Sequence, residues 1–541
     1  MLAQDAVHHP PAVMMPSNLH VEMFRISSVL IVFASLVVSQ QQHVLHNAGS
    51  QHDSCQSDVR SIAIIGGGIA GASLAFRLHD SYSQWLPLNI SVFERSAHFG
   101  GRIDAIEPYN RAYGFHGVSE TGAYVFSDND VCLQTSIDDV GLRSKVKKTP
   151  YPRMTIGVWD GQRWIRRGVR DLKTRTYADF LRDTLRYGRS VSQFQALLKN
   201  KLPRYRELYA PGHYPQPDLP LALHSLGLHE ESTAPGQDYL LKAGISSKYL
   251  REVVEPTVRA YFSRNLNDMN ALSALAAMDP ATTYQLDDPM GNAALVNRLL
   301  RLSEANVEVN TMVSGITRSS NGKYSLKAYR LGEDNEDIEN TFQGYDDVII
   351  AAHLGRTDIE SIEMLQENAM PEFVNRYVTT FASPHEMSPH IFNGTSGNDI
   401  PNMVLTSSDF VNDTGIISIE RKWIPKHLNG DVMEGENLFR IMSSEPFFKL
   451  EIFRLFDQAD SHKSLRDIGI EWKDYRMWDR ASLAKTRGPQ VDSVELTDGL
   501  FYTGVGEELM DTMEMSCRMG DQLARMVFMR LSRSQSVVAE E

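Results

Sequence analysis

The stretch with the most chemical content is Gly66-Gly67-Gly68-Ile69-Ala70-Gly71. It follows Ser61-Ile62-Ala63-Ile64-Ile65, a short apolar run rich in β-branched residues. It precedes Ala72–Leu78, which continues at helical spacing. Glycines at 66, 68 and 71 suit a turn that receives a pyrophosphate. The first permits the tight turn, the second lets backbone approach the phosphates, and the third lets helix and strand pack closely. A second apolar run, Asn89-Ile90-Ser91-Val92-Phe93, ends at Glu94, placed to accept both hydroxyls of a ribose, with Arg95 next to it. Strand, glycines, helix, strand and acid in this order predict a βαβ dinucleotide unit whose helix amides face the phosphates.

Such a unit needs further strands beside it, and the chain offers them far downstream. First, however, Glu94 is followed at fixed spacing by Gly100-Gly101-Arg102. The pattern ExxxxxGGR resembles the extended FAD fingerprint of the amine-oxidase-like flavoproteins, which implies FAD rather than a nicotinamide cofactor. In that resemblance the pair Gly100-Gly101 lets the chain turn beside the pyrophosphate and Arg102 brings it positive charge. Val307–Val313 reads as a strand of the same domain, and the resemblance places the Val313 backbone near the adenine. Asp347–Ala352 reads as a late strand ending in small residues. Gly499–Tyr502 reads as a strand, Gly504-Val505-Gly506 as a glycine turn, and Glu507 as the acid after it. Thr512-Met513 then opens a helix whose amides, by the same resemblance, aim at the flavin pyrimidine edge. The expected fold is therefore α/β. A Rossmann-like, amine-oxidase-like FAD-binding domain is assembled discontinuously from 60–150, 290–355 and 485–533. A mixed helical and β substrate cap comes from 151–289 and 356–484.

The cap segments carry apolar stripes at helical spacing. Tyr177, Phe180, Leu181 and Leu185 fall on one face, as do Leu250, Val253, Val254 and Thr257, and both read as core-facing. Residues 376–480 are richer in β-branched and turn residues and predict strands. Composition supports a globular enzyme of 541 residues, 42% hydrophobic and 23% charged. Its formal charge of −14 argues against nucleic acid, which needs clustered Lys and Arg. Cys55, Cys132 and Cys517 cannot form a disulfide framework, and no CxxC pair offers a zinc site. No metal is expected. The first 39 residues read as an upstream extension and a signal peptide. Ile26–Val38 is an apolar run of 13, preceded by Arg25 and followed by small and polar residues, with Met23 a candidate start. A short signal anchor is the alternative. Sequons begin at Asn89, Asn393 and Asn412, with Asn89 the poorest acceptor.

Three further stretches resemble the prenylcysteine oxidases, also called prenylcysteine lyases. One is Lys242–Leu250 with Glu255–Tyr261, continuing through Asn267–Ala271 to Gly291-Asn292 and Leu295-Val296. Another is Tyr377–Thr380 with Val404–Thr406. The most specific is the tail Thr512-Met513-Glu514-Met515-Ser516. The likeness runs from about 60 to about 530. The chain departs at Ala260-Tyr261-Phe262-Ser263-Arg264, at Met290-Gly291 and at Gly504-Val505-Gly506, the first near the expected pocket. The resemblance implies oxidation of a thioether by FAD and O₂. Prenylcysteine from degraded prenylated proteins would yield prenyl aldehyde, cysteine and H₂O₂. Hydride loss from C1 gives a cation stabilised by sulfur and alkene, so holding C1 about 3–3.5 Å from the flavin suffices. That requires no base, and no catalytic residue is singled out; His98, His116 and His353 read as structural. A prenyl chain calls for a long aliphatic tunnel, and peripheral lipid or membrane association fits such a substrate. No protein partner is implied. The implied address is the secretory pathway, with a lysosome, a vacuole or the exterior as its end. Two readings compete: an oxidase of the same superfamily acting on an amine or another lipid, and a prenyl-binding carrier without FAD.

Overall fold

The computed structural model describes residues 59–108, 118–149, 154–169, 177–210, 216–330, 338–357, 359, 373–394, 399–408, 415–428, 431–458, 463–483 and 493–538. The signal-like run, Cys55, His116 and the Asn412 sequon lie outside them.

Arg60–Ile65 forms a strand because its apolar residues are covered on both faces; Ile62, Ala63 and Ile64 have no exposed surface. It pairs in parallel with Leu88–Phe93 on one side and Asp347–Ile350 on the other. Asn306–Glu308 extends the sheet beyond Leu88–Phe93. Leu500–Tyr502 extends it beyond Asp347–Ile350, and Glu495–Thr497 closes that edge antiparallel. The glycine turn leads into helix Ile69–Arg77, which packs against Ala293–Leu302 and the 26-residue helix Met513–Val538. The latter crossing is close: a Cβ on Gly520 would stand 2.3 Å from the Ala70 carbonyl oxygen. A three-stranded antiparallel sheet, Thr311–Arg318, Tyr324–Arg330 and Ile338–Tyr345, covers Phe93, whose ring lies 4.8 Å from that of Phe342.

The cap is built on a seven-stranded sheet. Its order is Lys473–Leu483, Phe373–Ser383, Asp431–Ser443, Ile416–Leu428, Met403–Thr406, Ile156–Trp159 and Trp164–Val169. One pair, Met403–Thr406 with Ile156–Trp159, is parallel. Trp159, Phe381, Phe392, Phe439 and Phe453 fill a separate core on this sheet. Helices between Tyr177 and Ala277 complete the cap.

Three expectations need correction. Val307–Val313 is not one strand. Asn306–Glu308 stays in the parallel sheet, Asn310 takes a left-handed φ of 51°, and the chain re-enters as Thr311–Arg318 in the antiparallel sheet. The Gly504-Val505-Gly506 segment is not an open turn, because Gly504–Leu509 is a short helix containing Gly506 and Glu507. The stripe on helix Tyr177–Tyr187 does not face the core. Tyr177 is 78% exposed and Leu185 90%, whereas Asp183 and Tyr187 are buried. The second stripe does face inward, with Leu250, Val253, Val254 and Thr257 all buried. Two cysteines also form one bridge, Cys132–Cys517, across a sequence separation of 385.

Candidate active site

The turn after Ile65 is shaped by what glycine lacks. Gly66 has φ +115°, and a Cβ there would stand 2.9 Å from the Ala351 carbonyl oxygen. At Gly71 a Cβ would fall 2.1 Å from the Gly66 carbonyl oxygen, so only glycine lets the helix start this close to the strand. Gly68 differs: the nearest atom to its Cβ position is the Gly100 carbonyl oxygen at 3.9 Å. Its open face looks into a cavity of about 520 Å³.

Glu94 lines that cavity and is fixed in place. Its Oε2 accepts the Gly67 amide at 2.8 Å and its Oε1 the Ser96 amide at 2.8 Å. A carboxylate has about four lone-pair sites, so acceptor capacity remains for ribose hydroxyls. Ile69, Ala70, Arg95, Gly101, Arg102, Val313, Glu507, Thr512 and Met513 line the same cavity. Gly67, Gly71 and Gly506 stand behind its wall as close-packing positions; a Cβ on Gly506 would meet Met519 at 2.4 Å. Thr512 caps the long helix, its Oγ1 accepting the Met515 amide at 3.1 Å, so that helix presents its N-terminus to the cavity. Arg95 donates to the Arg356 carbonyl at 3.4 Å.

Arg102 is joined to the C-terminal segment. It pairs with Glu507 at 2.7 Å and Asp511 at 2.5 Å. Burial works against its charge, but the two carboxylates outweigh that and raise its pKa above the usual arginine value. Burial likewise pushes Asp511 up, and Arg102, Arg264 and Arg356 together hold it below the usual carboxylate range. Arg356 is brought down to about 10 by burial and then by Arg102. Neither Asp511 nor Arg356 was signalled by a motif. His353 is buried, with Nε2 3.3 Å from Glu508 Oε1 and Nδ1 accepting the Gly355 amide. Glu507 Oε1 is buried and has no hydrogen-bond partner among the described residues.

The far wall comes from the cap. Ala260–Ser263, most of the departing stretch, lines it with Val378, Met442, Met477 and Trp478, and Tyr124 from the dinucleotide-binding segment joins them. This is an aromatic and thioether surface, not the long aliphatic tunnel expected. Arg376 and Arg476 also line it. Arg376 donates through Nε to the Ser263 carbonyl at 3.0 Å, and burial followed by Arg264 and Arg259 lowers it to about 10. Arg476 lies 3.3 Å from Asp474 and 3.6 Å from Asp104.

A glycine cradle with one open face, a fixed carboxylate at the end of the second strand and a helix N-terminus opposite form a site that fits FAD. The orphaned Glu507 oxygen adds an unused acceptor at that site. These features define a discontinuous Rossmann-like protein with a cap over its dinucleotide site. In keeping with this, residues 64–133 match the NAD(P)-binding Rossmann-like domain. A solved structure from Exiguobacterium, described only provisionally as a protoporphyrinogen oxidase, superposes with TM-score 0.54 at 16% identity. The match covers 87% of this chain and 99% of that one. The prenylcysteine lyase model matches residues 173–541, and the chain belongs to that family. It is similar to prenylcysteine oxidase 1 of Bos taurus, 24% identical over 512 residues, covering 89% of this chain and 90% of the relative. It is also similar to farnesylcysteine lyase of Arabidopsis thaliana, 21% identical with 89% and 90% covered.

Proposed function

We propose that the chain is an FAD-dependent thioether oxidase acting on prenylcysteine. One observation carries the reading: a single cavity runs from the dinucleotide cradle to the cap wall, and the family match includes that wall from Ala260 onward. In the overall change, C1 of the prenyl group loses two electrons and its bond to sulfur breaks. Water supplies the aldehyde oxygen, cysteine leaves as a thiol, and O₂ takes two electrons and two protons to become H₂O₂. Bound FAD supplies the two-electron acceptor. The chain's own residues bind and place. Gly66, Gly68 and Glu94 hold the dinucleotide; Tyr261, Phe262, Met442 and Trp478 offer apolar surface to the isoprenoid. Burying that isoprenoid is worth about 0.8 kcal/mol per CH₂. Arg376 and Arg476 give positive charge for the amino-acid carboxylate. The contribution of such a site is orientation rather than proton transfer.

The aromatic wall favours a second reading, an oxidase of amines, because aromatic faces attract cations. The two guanidinium groups on the same wall oppose it, since like charges repel a cationic substrate. Purified protein assayed for H₂O₂ with farnesylcysteine against a panel of amines decides between them. Release with farnesylcysteine supports the proposal, and release with amines alone replaces it. Absence of a flavin band at about 450 nm would favour the carrier reading. For location we propose the secretory route, ending in a lysosome, a vacuole or outside the cell. The Cys132–Cys517 bridge supports it, because such bonds persist in oxidising compartments.

A further inference from the structure

The outward stripe of helix Tyr177–Tyr187 has no counterpart in the site described above. At about 100° per residue, Phe180, Thr184, Tyr177, Leu181, Leu185 and Ala178 occupy a continuous arc of about 160°. Tyr177, Phe180, Leu181 and Leu185 are 78%, 39%, 45% and 90% exposed. The helix cannot simply roll to bury them. Its other face is pinned by an ion pair from buried Asp183 to Arg166. Tyr187 adds a hydrogen bond at 2.8 Å to Glu252, and its ring packs 5.3 Å from that of Tyr249.

The surroundings are basic in an acidic protein. Residues 163–189 hold nine Lys or Arg and three Asp or Glu, in a chain of net charge −14. Two of those acids are engaged, Asp183 with Arg166 and Asp179 with Arg182. Arg167 and Arg189 are exposed. An amphipathic helix with an apolar face and Arg along its margin is the pattern of a helix lying in a lipid interface. Its charge complements the anionic surface of a membrane. A second copy of this chain is a poorer occupant, because a two-fold contact would set one basic stretch against the other. Among the described residues no helix is long and apolar enough to cross a membrane, so contact through this helix would be peripheral.

We infer that helix Tyr177–Tyr187 docks the protein on anionic lipid surfaces, with Leu181 and Leu185 inserted and the neighbouring arginines at the headgroups. The test is co-sedimentation of the full chain with phosphatidylcholine vesicles, with and without about 30 mol% phosphatidylserine. Wild type should partition at least about tenfold better onto the anionic vesicles, and added salt should weaken it. Leu181→Asp with Leu185→Asp should lose at least about tenfold of that binding while melting at the wild-type temperature, as exposed positions allow. Arg167→Glu with Arg189→Glu should lose binding and much of its salt dependence. Absence of wild-type binding, or equal binding by the Leu181→Asp, Leu185→Asp protein, overturns the inference. So does a dimer seen by light scattering that this variant dissociates while vesicle binding stays nil; the face would then be a contact between copies.

Discussion

Glycine at 71 is the residue whose loss has the clearest steric consequence. A Cβ 2.1 Å from the Gly66 carbonyl must push strand and helix apart. Gly71→Ala should therefore purify without flavin absorbance, even if it folds. Glu94→Ala removes a charged acceptor worth about 1.5–3 kcal/mol to a hydroxyl partner. It also leaves the Gly67 and Ser96 amides without their acceptor. FAD affinity should fall about tenfold or more, and wild-type affinity by titration would take Glu94 out of the site. The placement of these residues was legible in the sequence because it is local: strand, turn and acid lie within about thirty residues. The partners of Arg102 were not, since Asp511 lies 409 positions away and no spacing announces an ion pair closed by tertiary folding. Glu120 makes a pH prediction. Burial, opposed by the Asn292 amide and Arg440, pushes its carboxyl up to about 8. The unfolded chain ionises it near 4.5, so the folded state holds a proton the unfolded state has lost, and stability falls as pH rises between these values. Glu120→Gln should flatten that slope in melting curves from pH 5 to 8.

At the scale of elements, the Cys132–Cys517 bridge joins helix Val131–Asp139 to the helix that faces the cofactor site. Glu514, one turn before Cys517, accepts the Cys132 and Leu133 amides at 2.9 and 3.0 Å, so the second helix caps the first. Cys132→Ser with Cys517→Ser should cost about 2–4 kcal/mol in urea unfolding. An unchanged midpoint would mean that this cap alone holds the junction. Sequence patterns predicted helices and strands here better than their directions. The 177–187 stripe was legible as a helix, but periodicity is blind to which side is out; buried Asp183 and its Arg166 partner decide that. The break at Asn310 was hidden for a related reason: apolar alternation persists through it, and only a left-handed φ separates the two sheets. Gly504–Leu509 folds as a helix where its glycines suggested a turn, because its whole length is buried against neighbours that supply what propensity lacks.

Across the whole molecule, several buried carboxyls share the behaviour of Glu120. Asp130 and Glu514 lie near one another; burial raises both, the Glu514 charge raises Asp130 further, and Arg518 with the Cys132 and Leu133 amides restrains Glu514. Carboxyls held low, such as Asp346 and Asp511, act in the opposite sense only at pH values below about 4. The melting temperature should thus rise as pH drops from 8 toward 5 and fall again in stronger acid, a profile suited to the interior of a lysosome or vacuole. A maximum above pH 7 would count against it. N-terminal sequencing of the native protein tests the route itself and should read from about Gln40. A last consequence concerns synthesis. The parallel sheet takes strands from Arg60 to Tyr502, and the last lining of the dinucleotide site comes from Glu507, Asp511 and the long helix that opens at Thr512-Met513. At about 5–20 residues per second, a ribosome that has just made the glycine turn needs roughly 20–90 s to reach that helix. For the first part of this interval, until Asn306–Glu308 and Asp347–Ile350 are made, the nascent βαβ unit waits with both sheet edges open. Cofactor capture is then among the last events of biogenesis, and a chain terminated before residue 500 would be substrate for quality control rather than a partly active enzyme.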